Sequence, residues 1–136
     1  MRIENAGDLE RILSEARVIA VVGHSDNPSR TSYQIAQYLR QAGYKVYPVN
    51  PTVSQIDGEP CYATLADVPE PIDIVDVFRR SEYLGGVVED AIAVKAKTVW
   101  AQLGVVDEDA AQQAVDAGLN IVMDRCIKVD HRRLIG

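Results

Sequence analysis

Residues 21–32 read VVGHSDNPSRTS. An apolar run breaks at Gly23, and His24, Ser25, Pro28, Ser29, Arg30, Thr31 and Ser32 follow before a helical pattern begins. Glycine lets the backbone turn sharply, while hydroxyls and a guanidinium donate hydrogen bonds. The first N–H groups of a helix have no acceptor within it. Together these features make an anion site, above all one for phosphate. Asn27–Pro28 or Ser29 is the expected cap of the helix, and either choice directs backbone donors of the 28–32 segment at the loop.

Two familiar phosphate loops are excluded. A dinucleotide fingerprint needs three spaced glycines and an acid at the end of the second strand, whereas Gly23 stands alone and Asn50–Pro51 occupies the place of the acid. A Walker loop needs Gly-Lys-Ser/Thr, which is missing. This argues against NAD and ATP and leaves a nucleotide diphosphate of another kind. Metal chemistry has no support, because Cys61 and Cys126 lack zinc-type spacing. Asp73 and Asp76 stand three apart in one strand pattern, so alternation sends them to opposite faces, and they make a poor acid–base pair. Of the two histidines, His24 lies in the loop, and His131 falls on the core side of the last helical pattern.

The elements that must position these groups are legible. Five apolar runs recur at 18–22, 45–49, 72–77, 98–103 and 120–124, mostly continuous rather than alternating, as strands buried on both faces are. Helical periods lie between them, carried by Ile35/Tyr38/Leu39/Ala42, Leu84/Val87/Val88/Ala91 and Ala110/Ala111/Ala114/Ala117, with an opening helix on Leu9/Ile12/Leu13/Ala16. Gly43 and Gly118 sit where helices end. Residues 51–71, rich in Gly and Pro, read as a loop with a short extended arm and one helical turn. The expectation is an α/β, Rossmann-like three-layer sandwich over residues 1–136, a single domain. Its five-stranded parallel sheet takes the order 3-2-1-4-5, counting the runs along the chain.

The 136 residues are 47% hydrophobic and 25% charged, enough for one core, with a net charge of −6. That charge argues against nucleic acid or a membrane surface as partner. No run approaches the roughly 18 apolar residues of a membrane span. The acidic, amphipathic start is unlike a signal peptide, so the chain reads as cytoplasmic. Yet Arg30, Arg79, Arg80 and Arg125 all follow strand ends, the edge where open parallel sheets bind ligands, while Lys45, Lys95 and Lys97 lie at the opposite edge. Arginine suits phosphate by its fork of donors. The competing reading is that these arginines pair with Asp26 or Asp124. The same edge carries Val49, Asn50 and Pro51 after the second run, Phe78 after the third, Gln102 and Gly104 after the fourth, and Cys126 after the fifth.

The stretches VVGHSDNPSRTSYQIAQYLRQAGYKVYPVNP, VDVFRRSE, VWAQLGV and DRCIKVDHRRL together resemble the small stand-alone CoA-binding proteins, across roughly residues 10–135. Their Rossmann-like domain is similar to the CoA-binding domain of the succinyl-CoA synthetase alpha subunit. The resemblance implies coenzyme A as cofactor and CoA or acyl-CoA as the small-molecule partner. Gly23, Ser25 and the 28–32 segment would hold the diphosphate. Val49, Asn50 and Pro51 would border the adenosine, and Phe78 and Arg79 would close its other side. His24 replaces the small residue usual there. With no nucleophile–base pair in view, the expected role is a non-catalytic carrier, sensor or partner module. The alternatives are an enzyme acting on acyl-CoA or a nicotinamide nucleotide, and a scaffold with a vestigial pocket. Cys126, beside Arg125 at a helix start, has two readings: a packing residue, the commoner fate of a cysteine, or a thiol activated there and, about three strand spacings or roughly 15 Å from the adenosine, within reach of a mixed disulfide with CoA.

Overall fold

The computed structural model describes residues 1–136. The apolar runs form strands sealed between helices: β1 (Val18–Val22), β5 (Ile74–Val77) and β6 (Thr98–Ala101) are buried at every position. β2 (Lys45–Val49) and β7 (Asn120–Val122) emerge at their first residues. Alternation along the strands builds two cores. Ile19, Val21, Ile74, Trp100 and Val122 pack with α1 (Ala6–Glu15), α2 (Thr31–Gln41) and α5 (Ile127–Leu134). Val22, Val75, Val77, Val99 and Ile121 pack with α3 (Leu84–Ala93) and α4 (Glu108–Asp116). The result is a Rossmann-like α/β sandwich around a parallel five-stranded sheet.

The strand order differs from the expected 3-2-1-4-5. Counted the same way it is 2-1-3-4-5, because β5 pairs with β1 and not outside β2. The cause lies in residues 51–71. They fold as a hairpin, β3 (Gln55–Ile56) and β4 (Glu59–Pro60), followed by a helical turn at Leu65–Asp67. The hairpin leads to Tyr62, whose N–H donates to Pro48 O at 2.9 Å and whose carbonyl accepts from Asn50 N–H at 2.9 Å. The outer edge of β2 is therefore occupied. The chain returns across β1 with Leu65 and Ile72 buried in the α3/α4-side core, and β5 takes the sheet's centre.

The point where the strand order reverses, which favours ligand binding, falls between β1 and β5. The Gly23 loop thus faces Phe78 and Arg79, and Gln102 and Gly104 lie one strand farther away. Four spacings now separate β2 from β7, roughly 19 Å in place of 15 Å.

Candidate functional site

The loop after β1 is organised by its own small side chains. Gly23 turns at φ +86° and donates its N–H to Val49 O at 2.8 Å. The Ser25 N–H donates to Ser32 Oγ at 3.0 Å, and Ser25 Oγ accepts from Asn27 N–H at 3.0 Å. Asn27 Oδ1 accepts from the N–H and the hydroxyl of Ser29. Asn27 thus folds the loop and does not cap the helix, and neither does Ser29. α2 begins at Thr31, with Arg30 in the cap position and no side chain capping it. The first-turn N–H groups of residues 31–33 are left with no acceptor in the helix.

Gly23, Ser25, Ser29, Arg30, Thr31, Ser32 and Phe78 line one cleft of about 380 Å³. Arg79 stands beside it, its Cδ close behind Gly23 and its guanidinium 4.7 Å from the Tyr83 ring centroid. Of the four edge arginines, Arg80 reaches Glu82 at 3.5 Å, and Arg125 grips Asp130 with two bonds of 2.6 and 2.8 Å. Neither uses Asp26 or Asp124. Arg30 and Arg79 have no carboxylate partner: Arg30 stands at the uncapped helix end, and Arg79 lies against Gly23 with its guanidinium over Tyr83. Donors and positive charge converge there with no acid to consume them, which is the chemistry of an anion cradle.

Other candidate residues lie behind or beside the cleft. His24 is fully buried. Its Nδ1 donates to Ser25 O at 2.8 Å and its Nε2 accepts from Arg40 Nη2 at 3.2 Å. Burial holds its imidazole below the usual range, against the pull of the Ser25 carbonyl. It is a neutral brace for the loop. Val49 is buried beneath the loop, and Pro51 is exposed. Asn50 joins two turns: Nδ2 donates to His24 O at 3.0 Å, and Oδ1 accepts from Thr52 N–H and hydroxyl. Pro28 is an exposed loop residue whose carbonyl accepts from Gln34 at 3.3 Å.

Gln102 is buried, and its Oε1 accepts from Ile127 N–H at 3.2 Å. Gly104 bonds Asp124 Oδ1 through its N–H at 2.7 Å. Cys126 occupies the cap position of α5, half-buried against the α2/α5-side core. Both features expected to activate it are engaged elsewhere: Arg125 by Asp130, and the first helical N–H by Gln102.

Three supporting residues escaped the sequence reading. Arg40 braces His24, and Tyr83 lies under Arg79. Ser81 ties the 103–106 loop to the end of β5, donating to Gly104 O at 3.2 Å and accepting from Val106 N–H at 2.9 Å. The spacing of Arg79 and Tyr83 was the one available signal. Asp73 sits at the far edge, where it accepts the N–H groups of Arg17 and Val18 and pairs with Lys97 at 3.3 Å.

A family model described as a CoA binding domain matches residues 17–132. The uncharacterized protein YneT of Bacillus subtilis is 43% identical over 131 residues, covering 96% of this chain and 97% of its own. An ADP-forming acetate–CoA ligase of Methanocaldococcus jannaschii is 31% identical over 64 residues, 47% of this chain but 9% of the ligase. Among solved structures, a hypothetical protein of Pyrococcus horikoshii superposes with a TM-score of 0.94 at 38% identity, over 98% of this chain and 94% of that one.

Proposed function

The chain belongs to the family of CoA-binding domains, related to the CoA-binding part of ADP-forming CoA ligases, and on that footing we propose that it binds coenzyme A or an acyl-CoA in the cleft between the Gly23–Ser32 loop and Phe78–Arg79. The diphosphate meets the first turn of α2, with Arg30 and Arg79 on either side. The adenosine lies toward Val49, Asn50 and Pro51. The observation that carries this reading is one cleft that joins an uncapped helix N-terminus to Arg30, an arginine with no carboxylate partner, with Arg79, likewise unpaired, beside it at Gly23. The role is that of a non-catalytic carrier, sensor or partner module, since His24 is braced inside the loop and no nucleophile–base pair lines the cleft. Its place is the cytoplasm, where free thiols such as Cys61 and Cys126 stay reduced.

Calorimetric titration with CoA, ADP and NAD tests the reading, and absence of CoA binding at tens of micromolar would sink it. Arg30→Ala is expected to weaken CoA by roughly 1–3 kcal/mol, or 5- to 150-fold, with a smaller loss in high salt because Arg30 is exposed. Wild-type affinity in that variant at low salt would remove Arg30 from the site.

Ligand choice is a separate expectation. Asn50 offers an amide already committed to Thr52 and His24 where a nicotinamide enzyme offers a carboxylate to the ribose. CoA and ADP are expected to bind more tightly than NAD in parallel titrations. The reverse order would favour the nicotinamide enzyme.

A further inference from the structure

The loop after β6 exposes apolar side chains at the ligand edge of the sheet. Leu103 is 65% exposed and Val106 41%, and Tyr83, on the helical turn Ser81–Tyr83 after β5, is 46% exposed. Single exposed apolar residues are ordinary on a protein surface, but these three are held together. Ser81 Oγ donates to Gly104 O and accepts from Val106 N–H, which fixes the 103–106 loop against the turn that carries Tyr83. We infer, resting on the reading that the neighbouring cleft binds CoA, that this shelf seats the acyl group of an acyl-CoA and selects an apolar one.

The shelf is braced. Gly104 turns at φ +81°, and its N–H is held by Asp124 Oδ1 at 2.7 Å. Asp124 keeps a left-handed backbone of its own, φ +58°, which is strained for an L residue. Val105 N–H donates to Gln102 O at 2.9 Å, and its side chain is buried in the α3/α4-side core. The N–H groups of residues 104, 105 and 106 are therefore all engaged, while Leu103 and Val106 belong to neither core. A surface fixed in this way loses little freedom when a ligand lies on it.

Position selects the occupant. With the diphosphate at the first turn of α2 and the adenosine toward β2, the rest of the CoA molecule leads the other way, across β5 to β6, two strand spacings or roughly 10 Å from β1. Phe78 and Arg79 stand on that path, and the Arg79 guanidinium, 4.7 Å from the Tyr83 ring centroid, joins the cleft to the shelf. Charge selects the class. Residues 101–106 carry no charge, and Arg80 is taken up by Glu82. The ionisable groups tied to this loop are the acids Asp107, which caps α4, and Asp124. A terminal carboxylate on the acyl group would meet like charge there, whereas an aliphatic chain covers Leu103 and Val106.

The test is calorimetric titration of the full chain with CoA, hexanoyl-CoA and succinyl-CoA. Hexanoyl-CoA is expected to bind about tenfold more tightly than CoA, the worth of a partly buried apolar side chain, and succinyl-CoA no more tightly than CoA. In Leu103→Asp, and separately in Val106→Asp, the ratio of hexanoyl-CoA to CoA affinity is expected to fall to about one. Val129→Asp, at an exposed apolar position of α5, should keep the wild-type ratio. A wild-type ratio near unity, succinyl-CoA binding as tightly as hexanoyl-CoA, or an undiminished ratio in both loop variants would each overturn the acyl site and leave CoA binding standing. So would a wild-type dimer in sedimentation that Leu103→Asp makes monomeric, because a second copy would then cover the shelf. Failure of all three ligands to bind would overturn the CoA reading itself, and the acyl site with it.

Discussion

Gly23→Ala is expected to lower stability by about 2–6 kcal/mol and to abolish CoA binding in the protein that remains folded. Two costs add. At φ +86° an L side chain is strained, a penalty of about 1–3 kcal/mol. The new Cβ would also stand 2.4 Å from Phe78 O and 3.2 Å from Arg79 Cδ. Overpacking against backbone costs about 1–3 kcal/mol more. The strand end must give way, because Phe78 O belongs to the main chain and Phe78 N–H is tied to Val22 O at 2.9 Å. The displacement carries Arg79 and Phe78 away from the α2 N-terminus, so stability and binding fail together. Gly118 is the control: its φ is +83°, but a Cβ there meets nothing within 4 Å. Gly118→Ala should therefore pay the backbone cost alone and leave CoA affinity unchanged. Urea unfolding of both variants, with calorimetry on the folded fraction, decides the matter. Equal losses in the two would mean that the close approach of β1 and β5 at Phe78 is unimportant.

The layers were legible and the sheet's centre was not. Runs such as VIAVV announce burial on both faces by composition alone, and Gly118 marks the end of α4 because the chain there must turn where side chains are strained. Strand order depends instead on which edge finds partners, and the pairing of Tyr62 with Pro48 and Asn50 is a backbone contact that no periodicity records. The site followed the same division. Arg30 and Arg79 were identifiable because their positions after strands put them at the ligand edge in either order. The inward turn of His24 was hidden, since it depends on Arg40, sixteen residues away, and on a carbonyl within an irregular loop. The pairing of Arg125 was hidden for a related reason: its partner, Asp130, lies in the first turn of α5 and is 3% exposed, a burial that nothing in the charge pattern reveals.

Asp76→Val is expected to stabilise the protein at pH 8, and to do so more than at pH 4. Asp76 sits in the middle of β5, paired in register with Val21 and Trp100, fully buried, and neither carboxyl oxygen has a hydrogen-bond partner. Burial pushes its carboxyl well above the usual range, so the folded protein holds the acid neutral. Below the unfolded-state value, near about pH 4, both states are protonated and the group is neutral in effect. As pH rises past that point the unfolded chain releases the proton and the folded chain keeps it. Stability falls by about 1.4 kcal/mol per pH unit until the folded value is reached. The buried histidines act in the other direction. Burial lowers both His24 and His131, so their contribution is lost as pH falls below about 6.5. The wild-type profile mixes the two slopes, but the difference between wild type and Asp76→Val cancels the histidines. Valine is apolar, of comparable size, and suits a central strand, so its gain at low pH is confined to removing an unsatisfied polar group, about 1–3 kcal/mol. Urea unfolding at pH 4, 6 and 8 measures the difference. A gap that widens with pH locates the cost in the ionisation of Asp76. A flat gap would mean that its carboxyl is satisfied in solution, and a destabilising substitution that it is required for packing between β1 and β6.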